Sequence, residues 1–183
     1  DILPQEELDS ARRMLTPDQY EQEYECSFEA AIVGAYYGKL MNEAEKDKRF
    51  TGVPYDTAAQ VWTAWDLGIR DSTAIWFAQI VGREVHLIDY YESSGADLAH
   101  YVNEISKRNY SYGGHIVPHD AKARELGTGK TRLEVLESLG MRNLKVAAMH
   151  RREDGINAVR VMLTKCWFDA RKCHRGIEAL KLY

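Results

Sequence analysis

The sequence predicts an α/β domain: a mixed five-stranded sheet flanked by helices, with an N-terminal helical linker arm. Three observations carry that expectation. Three β-rich runs joined by short turns fill residues 61–92. Helical and strand-like periods then alternate to the last residue. The composition, 45% hydrophobic and 28% charged over 183 residues, is that of a globular chain with room for one ordinary domain and an arm.

The arm comes first. Glu6 to Leu15 reads as a helix stopped near Pro17, and Asp18 to Glu25 (DQYEQEYE) as a second, acidic one. Ala30 to Arg49 reads as a third, with Ile32, Tyr36, Leu40 and Ala44 spaced for one face. Large aliphatic side chains are few here. Residues 1–58 are therefore expected to be a linker or the tail of a preceding domain, with the folded domain at 59–183.

The pattern changes at Val61. VWTAWD alternates bulky and small residues, and LGIRD supplies a turn. STAIWFAQIV is β-branched and aromatic, Gly82-Arg83 makes a tight turn, and EVHLIDYYE is a third strand. These three form an antiparallel meander. Ala96 to Asn109 is helical, with Leu98, Tyr101, Val102 and Ile105 on one face. Gly113-Gly114 opens a fourth strand, His115 to Pro118. Thr131 to Leu139 is helical, with Gly140 as its C-terminal stop. Leu144 to Met149 is a fifth strand, Asp154 N-caps a helix running through Ile156 to Leu163, and Arg175 to Tyr183 is a last helical segment, with Cys166 and Cys173 placed on these final helices. A meander followed by alternating helices and strands places the fourth strand parallel to an earlier one. The order β-β-β-α-β-α-β-α is that of an RNase H-like domain of the resolvase/integrase type.

Two aspartates stand out in that frame. Asp66 ends an apolar strand, where a charge is costly unless it is paired, hydrogen-bonded or on a metal. Asp71 follows across the turn. Asp120 ends the fourth strand, 54 residues after Asp66. With those strands parallel, both carboxylates emerge at one sheet edge. Two carboxylates there repel each other, and a divalent cation removes the repulsion; hard oxygen ligands suit Mg²⁺ or Mn²⁺. Two such ions about 4 Å apart support phosphodiester hydrolysis. The competing reading of each aspartate is a turn or helix cap, which Asp also favours. A third acid is normally needed for two ions, and Asp154 is one candidate.

The charge is distributed to match. The net −4 splits into −6 over residues 1–50, −5 over 51–120 and +7 over 121–183. Lys122, Arg124, Lys130 and Arg132 follow Asp120 closely and are expected to contact phosphates of DNA. GTGKT (127–131) resembles part of a P-loop, but Arg124 stands where the first glycine belongs, so a surface loop is expected. No HExxH motif and no CxxC pair accompanies His100, His115, His119, His150 and His174, so zinc is not expected. Cys26, Cys166 and Cys173 form no CxxC pair and are expected to be reduced thiols. No apolar run approaches the roughly 20 residues of a bilayer span, so no membrane partner is expected.

Four pieces stand in a telling order: TAWDLGIRDSTAIW (63–76), IDYYESSG (88–95), PHDA (118–121) and EDGINAVR (153–160). In that order and spacing the chain resembles the C-terminal nuclease domain of the large terminase subunit of tailed bacteriophages or prophages. The resemblance implies an RNase H-like, metal-dependent endonuclease that cuts concatemeric double-stranded viral DNA during genome packaging, using two Mg²⁺ or Mn²⁺ ions. By position, Asp66 and Asp120 match two of the family's three carboxylates. Asp71 matches an acidic neighbour that supports a metal directly or through water. The family's third acid is expected in a motif after Tyr183, which leaves the role of Asp154 open. The resemblance also implies that residues 1–58 join the nuclease to an ATPase domain, that a small terminase subunit and a portal are partners, and that the host cytoplasm is the location. Two alternatives stand beside it: a catalytically silent DNA-binding or assembly module, and another RNase H-like nuclease such as a resolvase.

Overall fold

The computed structural model describes residues 35–68, 72–124 and 129–183. Asp71, Cys26, the two short arm helices and the start of the GTGKT loop lie outside the described residues.

The described chain forms a seven-stranded sheet between two layers of helices. The strands are β1 (Phe50–Thr51), β2 (Val61–Asp66), β3 (Thr73–Val81), β4 (Glu84–Ser93), β5 (Tyr112–Val117), β6 (Leu144–Val146) and β7 (Cys166–Asp169). The helices are α1 (Gly38–Lys46), α2 (Leu98–Ser106), α3 (Arg132–Ser138), α4 (Arg152–Leu163) and α5 (His174–Leu182). The sheet order is β1-β7-β4-β3-β2-β5-β6. The meander β2-β3-β4 is antiparallel, as expected, and every other pairing is parallel. Six strands therefore run one way and β3 alone runs against them.

Two strands exceed the expected five. β1 has two residues and sits in the segment expected to be linker; β7 has four and lies between the two last expected helices, at a cysteine expected to be helical. Cys166 is accordingly on β7, and Cys173 occupies the N-cap position of α5. β7 is held by parallel pairing to β4 (Val85↔Cys166 to Leu87↔Phe168), a contact between residues some eighty positions apart. Local periodicity carries no trace of such a partner. The segment expected as linker is also integral to the packing: Met41, Ala44 and Val53 are buried. Arg49 donates to the carbonyls of Leu163 and Cys166 at 2.8 and 2.9 Å, tying β1 to β7.

Each sheet face carries its own core. Val61, Trp65, Ile75, Phe77, Ile88 and Val117 meet Tyr101 and Ile105 of α2 and Leu136 of α3 on one face. Leu87, Cys166 and Phe168 meet Tyr37, Met41, Ile156, Leu163 and Ile177 on the other. β2 shows the alternation that sorts them: Val61, Thr63 and Trp65 are buried on the first face, while Ala64 and Asp66 are exposed on the second.

Helix ends follow the sequence closely for α3. Thr131 and Glu134 form a capping box, and Gly140 takes φ 93° just past the C-cap. Met141 N–H donates to Leu136 C=O, and Gly140 N–H to Glu137 C=O, closing the helix in a Schellman turn. α4 departs from expectation. It begins at Arg152, with Arg151 at the N-cap position and Asp154 inside the first turn, where a carboxylate favours the helix dipole without capping it.

Candidate functional site

All six co-directional strands present their C-terminal ends at one edge, which is where α/β sheets carry their sites. The ends of β2 and β5 are adjacent there. The parallel register pairs Ala64 with Ile116, so two further steps bring Asp66 level with Pro118, two residues before Asp120. Pro118 turns the chain into a short 3₁₀ segment, His119–Lys122, whose buried Ala121 anchors it to the core. Asp120 is thereby raised on the rim, its side chain 48% exposed.

One side chain joins the two strand ends. Arg132 Nη1 lies 3.4 Å from the carbonyl oxygen of Leu67, next to Asp66, and 3.7 Å from Asp120 Oδ2. The side chain is 13% exposed. Arg132, expected to meet phosphates, sits against the β2 end and Asp120. The other three cations are exposed. Lys122 lies in the 3₁₀ turn, Arg124 donates to Gly129 C=O at 2.8 Å, and Lys130 precedes the cap of α3.

The neighbours of Asp66 across the meander were not anticipated. Asp66 pairs with Ala74 of β3, and Ala74 pairs with Glu92 of β4. Strict alternation puts all three side chains on the same face. Glu92 accepts the Tyr90 hydroxyl at 2.5 Å and is ion-paired with Arg175 of α5. Burial raises the Tyr90 pKa, and its hydrogen bond to Glu92 adds to this, as do the negative charges of Glu92 and Asp66. Asp66, Glu92 and Tyr90 therefore share one electrostatic neighbourhood. The usable signal was the spacing in YYE, which keeps Tyr90 and Glu92 on one face.

Asp154 is exposed in the first turn of α4, an element that follows the outermost strand β6. Among the described residues no three His, Cys, Asp or Glu side chains cluster as a metal group. Asp66 and Asp120 are oxygen donors, of the kind that Mg²⁺ and Mn²⁺ take. Among the described residues the two cysteines, Cys166 and Cys173, are buried, and burial pushes each pKa up to about 12. Among the described residues no helix is long and apolar enough to cross a membrane.

No family model and no curated protein matches the sequence. Solved structures do match the fold. The phage P22 large terminase nuclease domain superposes with a TM-score of 0.60 at 16% identity, covering 74% of this chain and 75% of that one. The large terminase nuclease from thermophilic phage G20c, solved with bound magnesium, gives 0.52 at 14%, covering 80% and 79%. The large terminase from the thermophilic bacteriophage D6E, in complex with ADP, gives 0.57 at 16% and covers 98% of this chain. The chain spans 46% of that protein's length. The class defined by these matches is the RNase H-like α/β fold, in the form found in large-terminase nuclease domains.

Proposed function

We propose that this chain is a metal-dependent DNA endonuclease domain, cutting double-stranded viral DNA as part of a large terminase. The observation that carries the reading is the pairing of β2 with β5. It sets Asp66 and Asp120 at one sheet edge, with Arg132 bracing both strand ends. The fold shared with the P22 and G20c nuclease domains supports it.

In this reading Asp66 and Asp120 ligate Mg²⁺ or Mn²⁺ through their carboxylate oxygens. Such an ion supplies an activated water and Lewis acidity toward the phosphodiester. The two-ion form expected from the resemblance needs further oxygen donors, and Asp71 is the nearest in sequence. Arg132 keeps the Asp120 carboxylate oriented toward the rim. Lys122, Arg124 and Lys130 neutralise backbone phosphates, which positions DNA without reading its sequence. The N-terminal part of residues 1–58 joins the domain to an ATPase domain, with α1 and β1 packed into the nuclease fold, a reading supported by the ADP-bound D6E match over 98% of this chain. A small terminase subunit and a portal are the further partners of the whole assembly in the host cytoplasm.

A plasmid-nicking assay with Mn²⁺ tests the site. Asp66→Ala and Asp120→Ala should each lower cleavage by about 100-fold or more, since losing a metal ligand removes several kcal/mol of transition-state stabilisation. Wild-type cleavage by both variants overturns the assignment. A second reading, a DNA-gripping module without catalysis, is favoured by the Arg132–Asp120 ion pair, which gives Asp120 a structural partner. Calorimetry separates the two: the nuclease binds Mn²⁺ at millimolar concentration and the silent module does not.

A further inference from the structure

The cations assigned to phosphates above all come soon after β5 in the chain, on one side of the carboxylates. On the other side, across β3 and β4, stands Arg175. Its side chain is 69% exposed, yet it is not a loose surface arginine. Glu92, only 18% exposed, pairs with it through Oε1 and takes the Tyr90 hydroxyl on Oε2. The network is held down by Gly176, the next residue, which brings α5 directly onto Trp76 and Tyr90. A guanidinium has five donors in a rigid fork, and a single carboxylate oxygen leaves part of that fork facing solvent.

The location follows from the sheet. Asp66, Ala74 and Glu92 form one rung across β2, β3 and β4, with side chains on one face. Two strand spacings put Glu92 about 10 Å from Asp66, and the alanine between them leaves that face low. One strand of a duplex carries a phosphate every 3.4 Å of axis. A backbone with one phosphate at Asp66 therefore runs on toward the Arg175 fork within a few nucleotides.

Resting on the nuclease reading above, we infer that Arg175 is a DNA-backbone contact on the β4 side of the site, and that Glu92 with Tyr90 is its positioning pair. The strand is then gripped on both sides of the carboxylates: by Lys122 and Arg124 beyond β5, and by Arg175 beyond β4. Glu92 holds the guanidinium in place before DNA arrives, so less side-chain freedom is lost on binding.

The test is fluorescence anisotropy of a labelled duplex with the full chain, in EDTA so that no cleavage occurs, over a range of salt. Arg175→Ala should weaken binding about fivefold to tenfold for any sequence and reduce the log–log salt slope by about one. Arg175→Lys keeps the charge and should restore the slope while recovering only part of the affinity. Glu92→Gln frees the guanidinium, and should weaken binding without changing the slope. Urea midpoints of the three variants separate a folding defect from a contact defect. If Arg175→Ala binds DNA with wild-type affinity and slope, the inference is overturned while the nuclease reading stands. If wild-type protein neither binds nor cuts DNA, that reading fails and this inference fails with it.

Discussion

Gly176 of α5 lies directly against the indole of Trp76 in β3. A Cβ on this glycine would stand 2.5 Å from two ring atoms of Trp76 and 2.8 Å from Tyr90 Cδ2. Alanine is the better helix former by about 1 kcal/mol, but overpacking a closed contact costs about 1–3 kcal/mol and wins here. Gly176→Ala should lower the urea midpoint. Gly155→Ala in α4, where nothing lies within 4 Å of the added methyl, should raise it by about 0.5–1 kcal/mol equivalent. Equal effects of the two substitutions would contradict the packing described.

His115 gives the fold a pH limit. Thr63 Oγ1 accepts from Trp65 Nε1 at 2.8 Å and is hydrogen-bonded to His115 Nδ1 at 2.7 Å. Burial lowers the imidazole pKa from 6.5 to about 4. The unfolded chain takes up the proton first, so stability is full above pH 6.5 and is lost as pH falls toward 4. At pH 5 the loss is about 2 kcal/mol. Urea titrations of wild type and His115→Gln at pH 7.5 and 5 check this: the variant should lack that share of the pH dependence.

Arg108 is a structural cation. Its Nε meets Asp89 Oδ2 at 2.9 Å, its Nη1 donates to Glu104 C=O at 2.6 Å, and its guanidinium lies 4.9 Å from the Phe77 ring and 5.1 Å from that of Tyr91. Both partners of the ion pair are under one fifth exposed. Arg108→Ala should cost about 3–5 kcal/mol, because Asp89 is left with its charge largely buried. The double variant with Asp89→Ala should cost clearly less than the sum of the singles, as a thermodynamic cycle of chemical denaturation curves would reveal.

Binding to duplex DNA should fall linearly in log affinity against log salt. Lys122→Ala and Arg124→Ala should each reduce the slope by about one, in line with one phosphate contact apiece. Arg132→Ala should act differently, lowering cleavage by more than it lowers affinity, since it contacts the β2 end and Asp120. A salt titration paired with a nicking assay distinguishes the two kinds of cation.

What the sequence shows and what it hides divides along the range of the interactions. The meander was legible because alternation and the Gly82 turn are local, and Gly82 takes φ 62°. The parallel placement of β5 beside β2 was legible because crossover topology leaves few choices. β1 and β7 were not, since two and four residues make no period and their partners lie far off in the chain. Asp154 reads as a cap by composition alone, yet the helix starts two residues earlier. The Glu92–Arg175 pair escaped notice because 83 residues separate it, and only the packed position of α5 brings it together.

The lone reversed strand has a consequence for how the domain can be handled. β3 carries the chain the full depth of the sheet, nine residues or about 30 Å, and turns at Gly82-Arg83 on the side away from Asp66. The domain thus has a working pole, where the strand ends and their charges gather, and a holding pole made of short turns. A dye, a surface tether or a fusion partner attached at Arg83 would leave the working pole unobstructed.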